Sequence, residues 1–251
     1  MDESRLLEIF LEIQSGLPRQ GPGSNDSTLK ALSYCSELPQ NPDILDIGCG
    51  PGMQTICLAQ ALNCNIAAID TTEEYLDILR ERIQVANLSD RITILNQDMN
   101  ELSFEKESFD LIWAEGSAYI MGFENAFKSW RPFLRPRGYI AVTELVWLKS
   151  DPPKQLYEFF ENEYPEMTDV DTNISKIISS GYELLGNFTL PDSNWWDDYY
   201  TPLQAKLPVL TKRFKDDAEA LEIVNTTRLE IEMRRSYPDY YGYEFFISRK
   251  V

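Results

Sequence analysis

Apolar positions in this chain follow two rhythms that alternate through its first half. Short apolar runs near residues 44–47, 65–69, 91–95, 109–114 and 139–144 read as buried strands. Between them lie stretches with helical spacing. In EEYLDILRERIQVANL, Tyr75, Leu79, Ile83 and Ala86 share a face, and in MQTICLAQAL so do Ile56, Ala59 and Leu62. Strand and helix in alternation predict a mostly parallel sheet with helices on both faces. Upstream, Leu6, Phe10, Ile13 and Leu17 recur at helical spacing, predicting a helix that packs on the sheet or covers a ligand. A glycine- and proline-rich loop at residues 19–24, read either as a linker or as a lid edge beside a bound ligand, then leads into a helix expected to be capped near Asp26 or Ser27.

Past Glu144 the rhythm loosens. LVWLKSDPPKQLYEFFENEYPEM is aromatic and acidic, and NISKIISSGYELLGNFTL reads as a helix, a turn at Gly181 and a strand. YYGYEFFISRKV reads as a final strand rich in aromatic and β-branched residues. Between these last two strands lies a long insertion, about residues 191–239, which carries SNWWDDYYTPLQAKL and a helical DDAEALEIVNTTRLEIEMRR. The expected organisation is one domain over 1–251. It comprises an N-terminal helical cap at 1–40, a ligand-binding core at 41–145 and a substrate-side half at 146–251.

The first strand runs into DILDIGCGPG, residues 43–52, where Gly48, Gly50 and Gly52 stand at alternate positions. Glycines so placed let backbone turn tightly and approach a ligand closely. The helix beginning near Met53 offers unpaired N–H groups to a polar or anionic group. A dinucleotide fingerprint would need its third glycine at position 53, where Met53 stands. The second strand ends in Asp70, eighteen residues beyond Gly52, close to the spacing at which an acid meets ribose hydroxyls in doubly wound folds. The third ends in Asp98 beside Met99, and the fourth in Glu115 and Ser117. Polar groups thus collect at the carboxyl ends of successive strands, where open α/β sheets bind ligands. Asp70 and Asp98 equally suit the caps of following helices, with acids at Glu73 and Glu101.

The G-x-G-x-G loop with Asp46 two residues ahead of it resembles the first motif of the class I methyltransferases that use S-adenosylmethionine. The resemblance covers roughly residues 40–145. The strings GCGPGMQT and WAEGSAYIMGFE are most similar to the broad small-molecule group with sterol, quinone and sarcosine-type enzymes. It implies a Rossmann-like, doubly wound α/β sheet of seven strands, mostly parallel, with an antiparallel last strand inserted between the fifth and sixth. Helical insertions would cover the substrate. It implies S-adenosyl-L-methionine as cofactor, its amino-acid end wrapped by the glycine loop and its adenine amine met by Asp98. The implied cofactor-binding set is Asp46, Gly48, Cys49, Gly50, Gly52, Gln54, Asp70, Thr71, Asp98, Met99 and Glu115.

Composition narrows the chemistry. Of 251 residues, 43% are hydrophobic, enough for a sizeable core, and no apolar run approaches the ~20 residues needed to span a bilayer. The N-terminus lacks a basic region before an apolar one, so a cytoplasmic location and no membrane partner are expected. The formal net charge of −18 argues against nucleic acid as partner and favours a neutral or cationic small molecule. Arg131, Arg135 and Arg137 form the densest basic group and are expected to be solvated. There is no histidine, so any general base is Asp, Glu, Tyr, Lys or water. Cys35, Cys49, Cys57 and Cys64 form no C-x-x-C pair, and neither a disulfide nor a metal site is expected.

Methyl transfer from a sulfonium is an in-line displacement in which protein mainly aligns the reactants and excludes water. Glu115, Tyr119 and Glu144 are the catalytic candidates, at the rim after the fourth and fifth strands with Trp147. Either acid can accept a proton or hold an amine, and Tyr119 can orient the acceptor. Trp195, Trp196, Tyr199 and Tyr200 can enclose an apolar or cationic substrate or simply pack a lid. AEGS after the fourth strand lacks the Asn/Asp-Pro-Pro-aromatic motif of base and glutamine methylation. The expected function is methyl transfer to oxygen, nitrogen or carbon of a small metabolite. The alternatives are a non-catalytic cofactor-binding sensor and a protein methyltransferase.

Overall fold

The computed structural model describes residues 3–251. Two helices, α1 (Glu3–Gln14) and α2 (Asn25–Leu32), precede the alternating core. That core runs β1 (Asp43–Ile47), α3 (Met53–Ala61), β2 (Asn65–Asp70), α4 (Glu73–Val85), β3 (Ile92–Asn96), β4 (Phe109–Ala114), α5 (Phe123–Trp130) and β5 (Leu134–Trp147). Then follow α6 (Lys154–Glu163), β6 (Thr168–Asp169), α7 (Val170–Ser179), β7 (Tyr182–Thr189), the short turn α8 (Ser193–Trp195), α9 (Thr201–Arg213), α10 (Ala218–Ser236) and β8 (Tyr241–Lys250).

The strand order is β3-β2-β1-β4-β5-β8-β7, with the two-residue β6 pairing β5 off this path. β1 to β5 are parallel, whereas β8 lies antiparallel between β5 and β7. The order reverses between β1 and β4, and the crevice beyond the strand ends at such a reversal is where open α/β sheets take ligands. β6 is an addition that no sequence pattern marks. β5 is also longer than the expected 139–144, because Leu134–Trp147 pairs along its length with β4, β6 and β8.

Alternation along the strands sends successive side chains to opposite faces. Ile44, Ile66, Leu111, Trp113 and Phe245 pack on one face with α3 and α4. Leu45, Ile69, Ile112, Trp130 and Phe246 pack on the other with α5 and α7. A third cluster joins Ile9 and Ile13 of α1 to Phe160, Tyr200, Leu207, Val224 and Tyr241, so α1, α6, α9 and α10 form a separate cover. The buried stripe of α1 is therefore Ile9 and Ile13, while Leu6 and Phe10, expected on that face, are exposed. α2 is capped earlier than expected, by Ser24 rather than Asp26 or Ser27: Ser24 accepts from the Ser27 N–H. The expected solvated arginines are engaged. Arg135 donates to Asp43 and Asp110, and Arg131 donates to the Gly181 and Val251 carbonyls. All four cysteines are buried and unbonded. Among the described residues, no helix is long and apolar enough to cross a membrane.

Phe246 sits on the inserted strand, fully buried, with its ring 5.4 Å from that of Phe123. Phe246→Ala should cost about 3–5 kcal/mol of stability in chemical denaturation. A loss below ~1 kcal/mol would contradict its central place.

Candidate active site

The glycine loop is built around a buried acid. Asp46 points to the α3 face, where Thr55 Oγ1 donates to it at 2.5 Å and Gln54 Nε2 at 3.4 Å. Gln54 also donates to the Cys49 carbonyl at 3.0 Å, tying the loop to the first turn of α3. Burial pushes the Asp46 carboxyl up to about 7, against the hydrogen bond from Thr55. Gly48 and Gly52 both have positive φ. A Cβ on Gly48 would lie 2.4 Å from Ser117 Cβ, and one on Gly52 would lie 2.2 Å from Leu79 Cδ1. The loop thus passes where no side chain fits. The Cys49 side chain belongs to the core beneath, and Gln54 and Asp46 act on the loop rather than standing free in the crevice.

Asp70 does not cap α4, whose N-cap is Thr72; it ties the strand end to the glycine loop. Its Oδ1 accepts from the Thr72 N–H that opens the way to α4, and its Oδ2 accepts from the Gly50 N–H, each at 2.9 Å. A carboxylate has about four acceptor sites, so two remain for a ligand. Asp98 accepts at Oδ1 from the Asn100 N–H and amide, which hold its carboxyl below the usual range. Thr71, Met99 and Tyr75 line the same cavity, and the Tyr75 hydroxyl is buried with no partner among the described residues.

Glu115 faces the N-terminal segment. It accepts from Arg19 Nη1 at 3.3 Å, Thr28 Oγ1 at 2.7 Å and Trp113 Nε1 at 2.9 Å. Arg19 is buried, and its other contacts are Asn25 Oδ1 at 2.8 Å and Asp198 at 3.9 Å. The loop at residues 19–24 consequently lies across the glycine loop. Arg82 joins the two through the Pro51 carbonyl at 2.7 Å and the Pro18 carbonyl at 3.4 Å. Asn194 latches the loop to the cover: its carbonyl accepts from the Gly23 N–H, and its side chain from Ser24 and Ser27.

One cavity of about 660 Å³ joins these groups to a chamber under the cover. Glu144 reaches this chamber from β5, is 2% exposed, and accepts from the Tyr164 hydroxyl. Burial pushes its carboxyl up to about 7, against that hydrogen bond. Tyr119 stands at the mouth, 47% exposed, its ring edge-on to Tyr164 at 5.8 Å. Trp195, Tyr199 and Tyr200 line the chamber, whereas Trp196 turns outward to Asp192. A π-helical turn over residues 196–200 sets this phase: the Thr201 N–H bonds the Trp196 carbonyl. Pro202, which follows, has no N–H to continue a regular ladder. Trp147, at the end of β5, stacks on Tyr157 of α6 at 6.5 Å and does not line the cavity.

Sequence reasoning missed Arg19, Thr28 and Asn194, and it missed Tyr164, Glu230, Tyr241 and Tyr243 of the chamber. Glu230 accepts from Tyr200 at 2.6 Å, and burial raises its carboxyl. Nothing in the pattern of α10 distinguishes Glu230 from the surface acids around it. Arg19 stood in a loop already noted for its glycines and prolines.

Residues 44–138 match the profile of the methyltransferase-domain family. The sterol 24-C-methyltransferase of Kluyveromyces lactis is 25% identical over 182 residues, covering 68% of this chain and 48% of that protein. The chain thus spans about half the length of the yeast sterol methyltransferases it matches. A SAM-dependent methyltransferase from Geobacter sulfurreducens, solved in complex with S-adenosyl-L-homocysteine, superposes with a TM-score of 0.81 at 20% identity, over 97% of this chain and 98% of that one. One from Thiobacillus denitrificans, solved with the same ligand, gives 0.81 at 18% identity over 100% of both chains. At these identities the likeness is one of fold.

The two raised carboxyls set a pH dependence. Folded Asp46 and Glu144 keep their protons up to about pH 7, while the unfolded chain releases them near the ordinary carboxylate range. The unfolded state therefore binds fewer protons between those limits, and their contribution to stability falls as pH rises. Each is worth roughly 3–4 kcal/mol over that window. Glu144→Gln should make the protein more stable at pH 8 but not at pH 4, as read by denaturant unfolding. An unchanged pH profile would show that Glu144 titrates normally.

Proposed function

We propose that this chain, whose core is a class I methyltransferase domain, binds S-adenosyl-L-methionine across the ends of β1 to β4 and methylates a small molecule held beneath its helical cover. One observation carries this reading: a single cavity runs from the glycine loop and the Asp70 and Asp98 carboxylates into the chamber around Glu144.

The residues present fit the cofactor. The positive-φ turns at Gly48, Gly50 and Gly52 leave room against Ser117 and Gln20, and Asp70 keeps acceptor capacity for vicinal hydroxyls. Asp98, Met99 and Thr71 line the adenine side, with Asp98 Oδ2 making no hydrogen bond among the described residues. Asp46, Cys49 and Gln54 shape the loop from beneath. When bound, the cofactor supplies a methyl group on an activated sulfonium leaving group.

The chain's own part is positioning, exclusion of water and proton removal. Arg19, Thr28 and Trp113 occupy the Glu115 carboxylate, so its role is to hold the loop at residues 19–24 over the cofactor half. Glu144 is the group placed to accept a proton, with Tyr164 orienting it and Tyr119 closing the mouth. With a carboxyl near 7, Glu144 is largely ionised above neutral pH and matched to proton transfer there.

The expected acceptor is a small metabolite. Incubation with a labelled methyl donor and a metabolite extract should put label into a small product. Firm cofactor binding without any labelled product favours a sensor, and label in the protein fraction favours a protein methyltransferase. Calorimetry should show Asp70→Asn weakening S-adenosyl-L-homocysteine at least about tenfold, as loss of a charged acceptor requires. Unchanged affinity would remove Asp70 from the ribose site. Glu144→Gln should bind the cofactor product normally yet lower the transfer rate by about a hundredfold. A wild-type rate in this variant would exclude Glu144 as the base.

A further inference from the structure

The cavity's charge is lopsided. Six carboxylates line it, namely Asp70, Asp98, Glu115, Glu144, Glu163 and Glu230, against one cation, Arg19. Arg19 is already held by Glu115. Asp70 and Asp98 lie at the glycine-loop end, so Glu144, Glu163 and Glu230 belong to the chamber. Among the described residues, no Lys or Arg comes within salt-bridge distance of these three. Their partners are phenols: Tyr164 donates to Glu144 and Tyr200 to Glu230. A buried carboxylate without a counter-ion is costly, and burial raises both Glu144 and Glu230.

The walls between these acids are ring faces. Tyr164, Trp195, Tyr199, Tyr200, Tyr241 and Tyr243 line the chamber. Tyr243, half-buried, lines the same cavity as Glu144 and Glu230. Tyr241 Oη and Trp195 Nε1 have no hydrogen-bond partner among the described residues, although these residues are 1% and 2% exposed. Arg234 covers one face of Trp195 at 4.3 Å, but Asp192 neutralises it and it does not line the cavity.

We infer that the chamber recognises an organic cation, an amine or alkylammonium group on the methyl-accepting molecule, enclosed by these rings with Glu230 and Glu144 as its counter-ions. The placement of substrate there rests on the methyltransferase reading above. Ring quadrupoles attract such a cation most when it is desolvated, and the carboxylates add a direct charge interaction. A carboxylate or phosphate ligand would meet the Glu144 and Glu230 carboxyls, with no lysine or arginine lining the cavity besides the engaged Arg19, and is disfavoured by the same field. A neutral alkyl group would fill the rings but leave Glu230 uncompensated.

Calorimetry on the full chain tests this. S-adenosyl-L-homocysteine is titrated first; choline and its uncharged carbon isostere, 3,3-dimethylbutan-1-ol, are then each titrated into the saturated protein. Choline should bind about tenfold or more tighter than the isostere. Glu230→Gln should remove most of that difference and leave the isostere's affinity unchanged; the wild-type comparison decides independently of whether the variant folds. Equal affinity for both probes, or no choline binding alongside firm S-adenosyl-L-homocysteine binding, would overturn the inference and leave the methyltransferase reading standing. Failure of S-adenosyl-L-homocysteine to bind would overturn that reading, and this inference with it.

Discussion

The interaction on which the site depends is the burial of Asp46 at the end of β1. Its carboxyl has no access to water and is satisfied by Thr55 and Gln54 from the first turns of α3. A buried acid tolerates few arrangements, because each unpaired lone pair in a low-dielectric interior carries a desolvation cost. Strand end and helix start are therefore held together, and the residues between them must leave and re-enter within a few positions. Glycines with positive φ make that path feasible, and their missing side chains leave the space occupied by Ser117 and Leu79.

From that anchor the rest of the crevice follows. The sheet reverses its order between β1 and β4, so the ends of both strands face an open groove rather than a crossover helix. Asp70 reaches back from β2 to the Gly50 N–H, which couples the acid of one strand to the loop of its neighbour. The N-terminal loop then closes over the groove through the Arg19–Glu115 pair and the Asn194 latch. The cover has its own apolar core, distinct from the two faces of the sheet. Chamber and glycine-loop crevice are thus parts of one cavity supported by different packing units.

Local signals made the first half of the chain legible. Period-two and period-3.6 patterns distinguish β1 to β4 from α3 and α4 without any long-range knowledge, and the glycine spacing carries a backbone requirement that a sequence displays directly. The second half was less legible. The N-cap of α2 falls two or three residues earlier than expected because Ser24, Asp26 and Ser27 offer similar side chains. The α1 stripe was misassigned because Leu6, Phe10, Ile9 and Ile13 are all apolar, and only the partner surface selects Ile9 and Ile13. Trp195, Tyr199 and Tyr200 were visible as a group, but their convergence depends on a π-helical turn before Pro202.

By itself, the sequence determined the alternating α/β core, the glycine loop, the acids at successive strand ends and the absence of any histidine base. These are local properties, written in spacing and residue type. Tertiary structure alone decided which acid is engaged and which faces the chamber. Glu115 and Glu144 look alike along the chain, yet Arg19, from far upstream, claims the first, while the Tyr164 phenol donates to the second. Glu230 enters the chamber from a helix more than eighty residues beyond Glu144. The environment of a carboxylate is set by groups distant in sequence, and burial and charge are properties of that assembled surrounding rather than of the residue.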